Sequence, residues 1–71
     1  MFVSYNKLWH LMLDKNINKT DLRRMAGISS NVVAKLGRNE SVTTDTLAKI
    51  CSALQCDIGD IIEMANTKKG D

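Results

Sequence analysis

The sequence predicts an all-α domain of five short helices, and three observations predict it. Apolar residues recur at spacings of three and four along most of the 71-residue chain, which puts them on one face of a helix rather than of a strand. Each run starts behind a residue whose side chain can accept a bond from a free backbone N–H: Ser4, Asn18, Ser29, Thr43 and Asp57. Proline, the strongest helix breaker, is absent.

The first helix is expected to follow Ser4 and run to about Lys15, with Tyr5, Leu8, Trp9, Met12 and Leu13 at helical spacing. Asn16-Ile17-Asn18 breaks it. Asn18 then caps a second helix with Asp21 in its first turn, where an acid suits the helix dipole. Its apolar face is Leu22, Met25 and Ala26, and Gly27 ends it. Ser29 caps a third helix bearing Val32, Val33 and Leu36, and Gly37 to Ser41 reads as a loop. Thr43 caps a fourth helix with Leu47, Ile50, Cys51 and Leu54 on one side. Asp57 caps a last short helix carrying Ile58, Ile61 and Ile62. Residues 1–66 form one domain in this reading and 67–71 a polar tail.

A chain this short buries only roughly 60% of its unfolded surface, which leaves no room for a large internal cleft. Small scaffolds usually need a disulfide, a metal or a partner. Cys51 and Cys56, if both lay on a helix, would point roughly 140° apart, which disfavours a bond between them. Two thiols and the distant His10 make no zinc pattern, so reduced structural cysteines and no metal or cofactor are expected. Oligomerisation remains as the staple. Phe2, Val3, Ile62 and Met64 leave apolar surface near both ends, from which a weak homodimer is expected. With no membrane-spanning run and no visible signal segment, the cytoplasm is the default compartment.

The formal charge is only +2, but it is unevenly spread. Between Lys15 and Arg38 stand Lys15, Lys19, Arg23, Arg24, Lys35 and Arg38 against Asp21 alone. Between Asn39 and Asn66, Lys49 stands against Glu40, Asp45, Asp57, Asp60 and Glu63. One face is thereby suited to phosphates and another faces away from them.

The stretch from Lys19 to Leu36 joins two short helices through a turn with glycine at its tightest point. Gly27 can take a positive φ at no steric cost, so the second of the two leaves steeply. Ser30, Asn31, Ala34 and Lys35 stay outward, short or polar side chains that let a DNA groove approach. From Arg23 to Asn39 there is no acid, as a phosphate-facing surface requires.

This stretch resembles the helix-turn-helix of the Cro/repressor (XRE-type) family of phage and bacterial regulators. The resemblance runs from about Tyr5 to Ile62. It is carried by Tyr5-Asn6-Lys7-Leu8-Trp9, Lys19 to Arg23, Ala26 to Ser29 and Leu47 to Ile61. The family commonly has Gln, Ala and Glu where this chain has Lys19, Arg23 and Gly37; Gly37 suggests an early end to the third helix. The resemblance implies a five-helix, lambda-repressor-like fold and sequence-specific binding of double-stranded DNA in the major groove, as a transcriptional regulator and most simply a repressor. Ser29, Ser30, Asn31 and Lys35 fall where the family touches bases, and their chemistry agrees: Asn can pair with adenine, Lys can donate to guanine. Backbone contacts map onto Lys19 and Thr20, and onto Arg38, Asn39, Ser41, Thr43 and Thr44 before the fourth helix. Arg24 is a further candidate for phosphate.

Bland roles account for other residues: Trp9 for the core, His10 for the surface, Tyr5 for packing with its hydroxyl at the edge, and Asp57 and Asp60 for capping. No paired nucleophile, metal cluster or phosphate-cradling glycine loop is present, so neither an enzyme nor a small-molecule site is expected. The competing reading is a helical protein-interaction module, such as an antitoxin-type partner-binding domain.

Overall fold

A computed structural model describes residues 2–65; the polar tail expected at 67–71 lies outside them. The described chain forms four α-helices, a single 3-10 turn and a two-stranded antiparallel ribbon. Strand β1, Phe2–Ser4, pairs with β2, Glu63–Ala65, in the register Phe2 to Ala65, Val3 to Met64 and Ser4 to Glu63. The helical frame is as expected, with four α-helices rather than five, and the short ribbon is an addition that the apolar spacing did not predict. It also moves the first helix: Ser4 ends β1, buried, and α1 spans Asn6–Asp14 with Tyr5 at its N-cap.

Asn16 takes the left-handed conformation, φ 60°, and turns the chain out of α1. Helix α2, Lys19–Ala26, opens with a reciprocal cap: Asn18 Oδ1 accepts the Asp21 N–H at 2.8 Å, and Asp21 Oδ2 accepts the Asn18 N–H at 3.3 Å. Such boxes satisfy two orphan donors at once. Gly27 closes α2 at φ +67°. Helix α3 follows as Ser30–Gly37, capped by Ser29, whose Oγ accepts the Val32 N–H. Gly37 is its last residue rather than the first of a loop. Thr43 caps α4, Thr44–Leu54, by accepting the Thr46 N–H at 3.1 Å.

The fifth helix contracts to one 3-10 turn, Ile58–Asp60, although Asp57 caps it as expected. Ile58, Ile61 and Ile62 have helical spacing, but only Ile61 is buried, and the chain must straighten at Glu63 to pair with β1. The cysteine geometry is likewise corrected. Helix α4 stops at Leu54, Gln55 turns left-handed, and the Cys56 N–H donates back to the Cys51 carbonyl at 3.0 Å. Both thiols are free and half-buried. Burial first, and the neighbouring Cys51 second, raise the Cys56 thiol above its ordinary pKa, which keeps it protonated and unreactive.

One core joins every helix: Tyr5, Leu8 and Met12 of the α1 region, Leu22 and Ala26 of α2, Ile28, Leu36 of α3, Leu47, Ile50 and Leu54 of α4, and Ile61. Trp9 packs half-buried against it. Met25, expected inside, is 50% exposed, because Leu22 and Ala26 already fill the side of α2 that meets its neighbours. Packing α2 against α3 and α4 this way leaves the remaining faces of α2 and α3 to solvent.

Candidate nucleic-acid interface

The outward face of α3 carries Ser30, Asn31, Ala34 and Lys35, all exposed, while Leu36 is fully buried behind them. The intervening Val32 and Val33 are half-buried on the flanks. Of the four candidate base contacts, Ser30, Asn31 and Lys35 therefore stand together. Ser29 is exposed too, but its hydroxyl oxygen accepts the Val32 N–H at 3.3 Å and works as a cap.

A groove lies on each flank of α3. On one side, a cleft of about 160 Å³ is lined by Lys19, Thr20, Arg23, Ser30 and Val33. On the other, a groove of about 350 Å³ is lined by Val32, Lys35, Ser41, Val42, Thr43 and Thr46. Lys19 and Thr20 reach the first through the opening turn of α2; Ser41 and Thr43 reach the second through the approach to α4. Thr44 is exposed at the start of α4, where N–H groups without helical acceptors favour an anion. The Lys19 ammonium lies 5.1 Å from the centre of the Trp9 ring, a cation–π contact that draws it toward α1. Arg24 is exposed and, four residues after Thr20, shares that face of α2.

Two candidates of the loop after α3 are engaged within the protein. Arg38 caps the C-terminus of α3 and donates from Nε to Glu40 Oε2 at 2.6 Å. The pair draws the Glu40 carboxyl below its ordinary pKa and raises that of Arg38. Asn39 does not stand with the others: it is half-buried at φ 57°, and its Oδ1 accepts the Tyr5 N–H at 3.1 Å. Tyr5 closes the same loop a second time, its hydroxyl donating to the Glu40 carbonyl at 2.7 Å. With 1% exposure, Tyr5 is a core residue whose two polar groups both hold the loop. Sequence reasoning placed Tyr5 in the packing but missed this grip, since no short-range pattern signals it. It also left Arg23 and Glu40 out of the candidates.

Among the described residues no cluster of His, Cys, Asp or Glu could hold a metal, and no helix is long and apolar enough to cross a membrane. The arrangement offers a convex helix with a polar tip between two hydroxyl- and cation-lined grooves.

The model of the Cro/C1-type HTH DNA-binding domain matches residues 7–66. A solved structure, the crystal structure of the transcriptional regulator VanUg, is 52% identical, with a TM-score of 0.84, over 87% of this chain and 83% of that one. No curated protein matches the chain. With the family model spanning most of its length, the chain belongs to the Cro/C1-type helix-turn-helix DNA-binding family.

Proposed function

We propose that this DNA-binding domain of a transcriptional regulator binds a specific operator, with α3 in the major groove, and represses by occupying it. The observation that carries the reading is the pair of grooves flanking α3. A helix lying in a B-DNA major groove, roughly 12 Å wide, has a phosphate backbone on either side. Here a polar helix face is bordered on either side by Lys and hydroxyl groups. Asn31 and Lys35 read base edges in this arrangement, with Ser30 and Ser29 beside them. Lys19, Thr20 and Arg24 hold one backbone; Ser41, Thr43, Thr44 and Arg38 hold the other, Arg38 exchanging Glu40 for phosphate. Asn39 contributes through the shape of the loop and through its amide NH2, its oxygen being taken by Tyr5.

The reading is tested by selecting a site from a random DNA pool and titrating variants. Asn31→Ala is expected to lose about 1–3 kcal/mol on the selected site and much less on random DNA, relaxing one base position. Arg38→Ala is expected to weaken both DNAs alike and flatten the salt dependence by about one phosphate. Loss of base preference from Arg38→Ala, with uniform loss from Asn31→Ala, inverts the roles. No DNA effect from either, with binding of a polypeptide retained, transfers the function to a protein-interaction module. A reporter gene downstream of the selected site separates repression from activation.

Phe2 and Met64, exposed at the ribbon, support a weak homodimer through the chain ends, matching the two-fold symmetry of operators read by this motif. The ribbon's pairing puts Met64 on the face of Val3 and Phe2 on that of Ala65, so the contact would be small. Light scattering that finds only monomer at high concentration, with and without operator, removes the dimer.

A further inference from the structure

We propose that Arg23 grips one DNA phosphate in the cleft between α2 and the start of α3. The proposal rests on α3 being the helix that enters the groove. Arg23 is exposed and lines that cleft together with Lys19, Thr20, Ser30 and Val33. Lys19 and Arg23 are four residues apart on one face of α2, where like charges repel each other. Lys19 also sits in the first turn, the end of the dipole that disfavours a cation. Arg23 itself lies in the last turn, where the dipole favours a cation, so the unfavourable part is Lys19 and its like-charge neighbour, which an anion between them would relieve.

The two cations are not equivalent. The Lys19 ammonium is drawn over the Trp9 ring, whereas among the described residues Arg23 makes no ion pair and no side-chain hydrogen bond. The only acid of α2, Asp21, is committed to capping Asn18. Arg23 therefore brings an uncommitted guanidinium, whose planar fork suits two phosphate oxygens at once, to a cleft that already presents the Thr20 and Ser30 hydroxyls. Ser30 stands on the same edge of α3 as the base-facing residues, so this phosphate flanks the bases that α3 reads.

The test measures affinity for the selected site and for random DNA across a salt series, using the whole chain. Arg23→Ala is expected to lower the slope of log affinity against log salt by about 0.9 on both DNAs, with the selected base preference unchanged. Arg23→Lys restores the slope with weaker binding, and Lys49→Ala, on α4 outside both grooves, leaves it as in the parent. Melting curves of all variants confirm folding, since Arg23 is exposed. An unchanged slope in Arg23→Ala, with the parent still binding its site, overturns the role of Arg23 alone. A changed base preference at constant slope overturns it in favour of base reading. A parent that binds no DNA in any salt overturns the reading of α3 and this proposal with it.

Discussion

The two ends of α3 are positioned by different kinds of contact. At its start, every bond is local: Asn18 and Asp21 cap α2 reciprocally, Gly27 turns left-handed, and Ser29 accepts from Val32. At its end, the Asn39 and Glu40 N–H groups also donate locally to α3 carbonyls, but Tyr5 adds a distant hold on the loop, binding Asn39 and Glu40 across 34 and 35 residues. The exposed polar start of α3 is thus built by neighbours in sequence, whereas the loop beside the second groove also depends on the whole domain being closed. Its placement should be the more fragile, and should fail together with the core.

The largest expected effect is at the distant end. Tyr5→Ala removes a buried aromatic and leaves the Glu40 carbonyl without its donor, while the backbone bond to Asn39 remains possible; the loss should be about 3–5 kcal/mol by analogy with other aromatic truncations. Chemical denaturation measures it, and a loss under about 1 kcal/mol would show the loop holding itself. Next comes the local end. A Cβ at Gly27 meets nothing within 4 Å, so Gly27→Val suffers from its positive φ alone, at about 1–3 kcal/mol. Gly27→Asn should recover much of it, since Asn tolerates that region; equal melting of Val and Gly forms would refute the backbone argument.

Tyr5→Phe separates packing from the loop bond. It keeps the ring, leaves the Glu40 carbonyl without its donor, and should lose about 0.5–1.5 kcal/mol. Burial raises the Tyr5 pKa, so the folded state retains the phenolic proton to higher pH than the unfolded one. Its contribution is complete below the ordinary value of about 10 and is lost as pH rises through the folded value. Alkaline stability curves of parent and Tyr5→Phe should differ in that window; parallel curves would count against a buried, bonded phenol.

The smallest effect is at Glu40. Its pair with Arg38 is solvent-exposed, so Glu40→Gln should leave the melting temperature almost unchanged. Freed of its counter-charge, Arg38 should bind DNA more tightly and with steeper salt dependence. Because Arg38 lowers the Glu40 pKa, the carboxylate persists to more acid pH than usual. The pair's contribution is present above the ordinary Glu range and lost as pH falls through the lowered value. Parent and Glu40→Gln should therefore converge in DNA affinity on acidification, and a constant gap would dissociate Glu40 from Arg38.

The same division explains what could be read early. Asn18, Ser29, Thr43 and Asp57 all cap as the sequence predicts, and Gly27 has the predicted left-handed turn, because each acts on atoms within a few residues. The ribbon was not legible. Its three-residue strands are too short to show alternation, and they pair from opposite ends of the described chain. The isoleucines after Asp57 mimic an α-helix, yet pairing of Glu63 with Ser4 leaves room for one 3-10 turn.

By itself, then, the sequence determined the helix-turn-helix: where α2, α3 and α4 begin, the left-handed turn between α2 and α3, and which side chains of α3 face outward. Those features follow from hydrogen bonds and φ preferences within single turns and from a periodicity visible along the chain. Only the tertiary structure decided that Asn39 turns inward to Tyr5, that Cys56 folds back on Cys51, and that Arg23 stands in a cleft beside Ser30. It alone decided that the chain ends meet as a ribbon. Each of these depends on which distant surfaces meet once the shared core has brought them together, and no local spacing encodes that meeting.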